Sequence, residues 1–164
     1  MTELRFKKTT EFDEEVYAVH PEDYRALLEA LKSEGFDYPR SLTGMDTGYG
    51  LRVVVHLYGI ESGKKATVYT DVPYDAPEVP SVTDLWPGLE WFEREAYDLV
   101  GLRFLGHPDH RRILLEEDWT LHPLQKRYDT GGYLLPDWQP APWPETPPWQ
   151  EEEAAEESQE GGEA

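Results

Sequence analysis

The run Leu51-Arg52-Val53-Val54-Val55-His56-Leu57-Tyr58, followed beyond Ser62-Gly63 by Lys65-Ala66-Thr67-Val68-Tyr69-Thr70, decides the fold class. Both runs are rich in β-branched and aromatic residues and are bounded by turn residues, the pattern of strands. Upstream, Gly48-Tyr49-Gly50 supplies a turn and Arg40 to Met45 reads as a further strand. Three strands in series predict an antiparallel meander. Ahead of them, Val16-Tyr17-Ala18-Val19 is a short apolar run suited to a first strand, and the acidic segment Glu11 to Glu15 precedes it. Between this strand and the meander, Pro21 stands at a first helical position with Glu22 and Asp23 in the first turn. Tyr24, Leu27, Leu28 and Leu31 recur at i, i+3, i+4 and i+7, so an amphipathic helix is predicted, with Gly35 as its stop.

Beyond Pro73 the pattern changes. Pro73, Pro77 and Pro80 punctuate a loop, and Ser81-Val82-Thr83-Asp84 is a set of N-cap residues that predicts a helical start before Leu85. Pro87-Gly88 interrupts it. A second helical piece runs from Leu89 to Val100, with Leu89, Phe92, Ala96 and Leu99 on one face and Gly101 at the C′ position. Leu102-Arg103-Phe104 reads as a short strand, His107-Pro108-Asp109 as a turn, Ile113-Leu114-Leu115 as an apolar return, and Glu116-Glu117-Asp118 as the start of one more helical turn.

The chain has 164 residues and a formal charge of −19. One domain is expected. Residues 1–128 carry 24 acids against 15 bases, and residues 129–164 carry 10 acids and no Lys or Arg. No basic stripe is present, which argues against nucleic acid or an anionic membrane as a partner. The absence of Cys removes disulfides, thiol nucleophiles and ordinary iron–sulfur ligation by this chain. No apolar run has the length of a membrane span or a signal peptide, so the composition reads as soluble and cytosolic. Residues 129–150 contain six prolines and Trp138, Trp143 and Trp149. Proline keeps such a segment extended and Trp supplies large anchors, so an arm that docks on another surface is expected. Residues 151–164, with seven Glu, read as a solvated acidic tail.

Two side-chain groups could carry chemistry. His107, Asp109 and His110, with His122 nearby, could be read as metal ligands, yet their spacing across a Pro turn matches no standard zinc pattern. The structural alternative has His107 and His122, each followed by Pro, hydrogen-bonding nearby backbone. In the second group, Glu90, Arg94 and Asp98 are spaced i, i+4, so that Arg94 could bridge two carboxylates on a charged helix face beside Glu93 and Glu95. Neither a phosphate-binding Gly loop nor a nucleophile elbow occurs.

Read as one string, Glu93-Arg94-Glu95-Ala96-Tyr97-Asp98-Leu99-Val100-Gly101-Leu102-Arg103-Phe104-Leu105-Gly106-His107-Pro108-Asp109-His110-Arg111-Arg112-Ile113-Leu114 is similar to the signature of the C-type subunit of NADH-quinone oxidoreductase, the thirty-kilodalton subunit family of respiratory complex I. The resemblance extends over residues 80–128, through Pro80 to Pro87, Glu117-Asp118-Trp119 and His122-Pro123-Leu124. One strip departs from it: Leu121 to Asp129 replaces the Gly, Arg, Asp and final Pro of the family's Gly-His-Pro-Leu-Arg-Lys-Asp-Tyr-Pro.

The resemblance implies an α+β fold: a two-layer domain over residues 1–128 with a mixed, largely antiparallel sheet and helices on one face, plus an extended C-terminal arm. It implies a non-catalytic member of the hydrophilic arm, beside the D-type subunit near the quinone end, held peripherally at the cytoplasmic side of the cell membrane through its partners. No cofactor is expected on this chain, FMN and iron–sulfur clusters being expected in partner subunits. Glu93, Arg94, Glu95, Asp98, His107, Arg111, Arg112 and His122 become candidates for an ion-pair network, internal or across the boundary with a neighbour, that fixes docking. Trp138, Trp143 and Trp149 become partner-docking residues. Three further readings stand beside this one: the equivalent component of a membrane-bound hydrogenase or other quinone oxidoreductase, a stand-alone His-based metal enzyme, and a free binding module.

Overall fold

The structure is a computed structural model, and it describes residues 4–129 and 131–150. The acidic tail expected over residues 151–164 lies outside the described residues. Among the described residues, seven strands and two helices form a mixed α+β architecture: β1 (Phe6–Glu11), β2 (Glu14–Val19), α1 (Tyr24–Ser33), β3 (Tyr38–Asp46), β4 (Leu51–Tyr58), β5 (Lys65–Val72), β6 (Glu78–Pro80), α2 (Glu90–Val100) and β7 (Arg103–Leu105).

The expected meander is present. β3, β4 and β5 pair antiparallel, with Val53 opposite Gly44 on one side and Thr70 on the other. The sheet is larger than the meander, with strand order β1-β2-β5-β4-β3, because α1 carries the chain from β2 to the far edge. β5 therefore returns beside β2 and pairs with it in parallel, giving the sheet its mixed character. Strand β1 goes unseen in the sequence pattern. It is an edge strand whose FKKTTE run has few apolar residues, and it joins β2 through Phe12 and Asp13, both at positive φ as a two-residue hairpin turn requires.

One face of the sheet is the core. Leu51, Val53, Val55 and Leu57 of β4 are buried, as are Ala66 and Val68 of β5 and Tyr17 and Val19 of β2. They pack against Tyr24, Leu27, Leu28 and Leu31 of α1, the four positions set by the helical period. Pro21 opens a short 3-10 turn ahead of α1, and Gly35 ends the helix at φ 96°. The second helix crosses β3 so closely that a Cβ on Gly44 would stand 2.8 Å from Leu102 Cδ1 and 3.3 Å from Cβ of both Ala96 and Val100. Glycine here sets the spacing of the layers.

Two expected helical starts are corrected. Ser81 to Asp84 does not open a helix. Their N-capping chemistry serves a turn, and α2 begins only at Glu90 after a 3-10 turn led by Pro87. Glu116 to Asp118 forms a turn closed by the Trp119 N–H on the Glu116 carbonyl, not a helical segment. The prolines around residues 77–80 do not exclude a strand, since β6 pairs in parallel with β7 as a small second sheet whose outer side needs no N–H from Pro80.

The Pro/Trp segment lies on the chain's own domain, at the sheet end where β2 and β5 finish and β4 begins. Trp138, Trp143 and Trp149 meet Tyr74, Tyr49 and His20 edge-on, at centroid distances of 5.5, 5.5 and 5.2 Å. The Ala141 N–H donates to the Gly48 carbonyl, and the Lys126 N–H to Asp46. The surface beneath this arm is thus intramolecular.

Candidate functional site

Helix α2 carries polar side chains that point inward. The predicted apolar stripe is only partly realised: Leu89 and Ala96 are buried, Phe92 and Leu99 half-buried, and Glu93, Arg94 and Asp98 are buried as well. Arg94 bridges neither Glu90 nor Asp98, the correction the structure makes to the i, i+4 geometry. Its Nε and Nη2 donate to the carbonyls of Arg111 and Arg112 at 3.1 and 2.8 Å, and its Nη1 lies 3.6 Å from Asp109. One turn further along, Asp98 takes the complementary groups of the same loop. Its Oδ2 accepts the N–H of Ile113, Leu114 and Leu115 at 3.0, 2.7 and 2.9 Å. Its Oδ1 receives Arg112 Nη1 at 2.6 Å.

Residues 109–115 have no regular structure, so their main-chain groups need partners from elsewhere. Arg94 supplies the donors and Asp98 the acceptors. Arg is suited to the first task because its planar fork reaches two carbonyls at once. Burial alone would raise the Asp98 carboxyl, but the three N–H groups and the Arg112 guanidinium outweigh it and hold Asp98 below the usual carboxylate range.

The carbonyls at the end of α2 are capped from residues 122–125. His122 Nδ1 donates to the Asp98 carbonyl at 2.9 Å, the Leu124 N–H to Leu99 at 2.9 Å, and Gln125 Nε2 to Val100 at 2.6 Å. Gly101, at φ 92°, permits this approach, since a Cβ there would stand 2.9 Å from both His122 Cδ2 and Gln125 Nε2. At the other end, His107 Nε2 donates to the Glu90 carbonyl at 3.0 Å while its Nδ1 accepts the Asp109 N–H at 3.0 Å, which fixes one neutral tautomer. His110 Nε2 accepts the Phe104 N–H at 3.1 Å, and its ring lies 4.2 Å from Tyr97. Burial lowers both His110 and His122, in His110 with help from His107.

Glu93 stands apart from this cluster. It is fully buried and accepts the Val82 N–H at 2.8 Å, and burial pushes it up to about 7. Glu95 is exposed, and Arg111 pairs on the surface with Asp109 at 2.9 Å. The expected residues therefore divide into a central set (Arg94, Asp98, Arg112, His107, His122), a separate buried acid, and two at the surface. Gln125 and Gly101 belong to the central set, and Gln125 has no signal in spacing. Among the described residues no group of three His, Asp or Glu is arranged to hold a metal ion. Both ring nitrogens of His107 and Nε2 of His110 bond backbone groups, and the Asp109 carboxylate pairs with Arg111.

Among the described residues the opposite sheet face carries no helix, and it holds a shallow hollow of about 530 Å³ lined by Val16, Ala18, Met45, Val54 and Pro148, with the Arg52 and Asp71 pair at 2.5 Å beside it. Among the described residues no helix is long and apolar enough to cross a membrane.

Across residues 17–134 the sequence matches the family described as respiratory-chain NADH dehydrogenase, 30 Kd subunit. It is 45% identical over 108 residues to the C/D-type subunit of NADH-quinone oxidoreductase from Phocaeicola vulgatus, an overlap that takes in 65% of this chain and 21% of the relative. The chain spans 40% and 57% of the length of two C-type relatives, from Chloroherpeton thalassium and Aromatoleum aromaticum, to which it is 45% and 38% identical. Among solved structures it is similar to a trypsin-resistant fragment of Nqo5 (TM-score 0.59, 28% identity, 63% of this chain and 89% of that one). It is also similar to a chain of the membrane-bound sulfane sulfur reductase, an archaeal respiratory membrane complex (TM-score 0.64, 25% identity, 77% and 78%).

Proposed function

The chain belongs to the 30 Kd subunit family of respiratory-chain NADH dehydrogenase, and on that premise we propose that it is a non-catalytic scaffold in the hydrophilic arm of a proton-translocating NADH:quinone oxidoreductase. In this role it packs beside the D-type subunit near the quinone end and is held peripherally at the cytoplasmic side of the membrane through its partners. FMN and iron–sulfur clusters reside in those partners. The observation that carries the reading is the family match over residues 17–134. Relatives whose names join C and D in one polypeptide support the pairing with a D-type neighbour. The scaffold role is supported by the site itself, where Arg94, Asp98, His107, His110 and His122 all bond main-chain atoms. Such bonds shape a surface and occupy these five side chains in holding main chain.

The test is isolation of the native chain from membranes with whatever accompanies it. Co-migration with the D-type subunit and Cys-rich redox proteins is expected, and a free monomer overturns the reading. In the same cells Arg94→Ala should lower the amount of assembled complex more than turnover per complex. A normal amount with no turnover would assign catalysis to this chain. A second reading, the equivalent component of a related membrane-bound oxidoreductase, is favoured by the likeness to the sulfane sulfur reductase chain. The identity of the co-migrating donor-side proteins separates the two.

A further inference from the structure

Glu93 projects from α2 into the joint where that helix meets α1 and the 81–86 segment. Its side chain has no exposed surface. Oε1 accepts the Val82 N–H, and Oε2 has no hydrogen-bond partner. Of the side chains around it, only the Ser81 hydroxyl and the Arg25 guanidinium favour its charged form, and burial outweighs both. From α1 comes the Tyr24 phenol, also fully buried with an unpartnered hydroxyl, and from the 81–86 segment come Ser81 and the acid Asp84. The cations of α1 are engaged elsewhere: Arg25 with Asp84, Glu29 and the Ser81 carbonyl, and Lys32 with the Leu85 carbonyl. On α2 itself, Arg94 is turned away to the 109–112 loop and the nearest acid one turn back is Glu90.

A carboxylate taken out of water without a cation or several N–H donors is unstable and takes up a proton instead. Asp98, on the same helix and equally buried, has three N–H donors and a guanidinium. Glu93 has one N–H. We propose that Glu93 is a buried proton-holding site, neutral in the folded chain, and that loss of its proton to solvent opens the joint between α1, the 81–86 segment and α2. The Val82 N–H bond to Oε1 survives either state. What changes is Oε2, whose charge could reach water or Arg25 only if the joint parts.

Burial raises the folded-state titration of Glu93 to about 7, above that of the unfolded chain, so the folded chain binds the extra proton between the two values. The stability tied to this proton is complete below the unfolded value and is lost as pH rises through about 7.

Infrared spectroscopy of the full chain tests the proposal. At about pH 6 exposed Asp and Glu are ionised, so a protonated-carboxyl stretch is expected to remain, to disappear by about pH 9, and to be missing from Glu93→Gln. The Leu85 and Trp86 amides, both bonded to the Val82 carbonyl, should exchange faster at the higher pH, after correction for intrinsic rates, in the native chain but not in Glu93→Gln. Absence of the band at about pH 6, its survival in the variant, or equal pH acceleration of exchange in both proteins overturns the proposal. Should Glu93→Gln not fold, the band and its loss in the unaltered chain decide alone.

Discussion

Glu93 and Asp98 stand five residues apart on α2, both without solvent exposure, and are shifted in opposite directions. Burial acts on each. What separates them is the number of donors that the surrounding chain delivers: one N–H to Glu93, and three N–H groups with a guanidinium to Asp98. The helix thereby holds two neighbouring segments by different chemistry, the 81–86 turn through a single bond and the 109–115 loop through a complete set.

The Asp98 set predicts an acid limb in stability. Because its folded-state value is depressed, its contribution is present above the ordinary carboxylate range and disappears as pH falls below about 4. Asp98→Asn should remove that limb and destabilise the chain by about 3–5 kcal/mol at neutral pH, since Arg112 is left buried without its counter-charge. Urea unfolding at a series of pH values measures both effects.

Arg94→Lys should fail to substitute for arginine. A single ammonium cannot span the Arg111 and Arg112 carbonyls as the fork does. Loss of one hydrogen bond from a charged donor costs about 1.5–3 kcal/mol. Hydrogen exchange at residues 113–115 is expected to accelerate while the amides of β4 and β5 stay protected. Uniform acceleration across the sheet would mean that Arg94 supports the whole fold.

Gly44→Val should destabilise by about 1–3 kcal/mol through overpacking, because even a Cβ at this position meets Leu102, Ala96 and Val100. Thermal unfolding reads the loss. An unchanged midpoint would show that α2 can lift from β3 without cost.

Trp143→Ala should release the arm and leave the sheet intact. The Trp143 ring packs on Tyr49 and against Gly50, so its truncation exposes residues 136–150 to protease while the denaturant midpoint of the domain moves little. Removal of residues 151–164 is expected to leave assembly with partners unaffected, as judged by the yield of the isolated complex.

Much of this architecture is legible in the residues. Helical spacing names Tyr24, Leu27, Leu28 and Leu31, and each is buried; the β4 and β5 runs name the meander. Strand β1 is not legible because an edge strand with an exposed face lacks alternation, and β6 because a three-residue strand that follows Pro77 and ends on Pro80 gives no period. The inward turn of Glu93 and Arg94 is also hidden. Spacing along a helix reports only neighbours on that helix, whereas the partners of Arg94 lie 17 and 18 residues downstream. Asp98 and Arg112 could be matched as opposite charges, but not the three amides that share Asp98.

The three bonds from Asp98 to residues 113, 114 and 115 end on amides and ask nothing of those side chains beyond an N–H to give. At the exposed Leu114 any amino acid but proline keeps that bond, whereas Ile113 and Leu115 are half-buried. Leu114, which points outward, is thus held by its main chain alone, and the shape that presents it is inherited from α2.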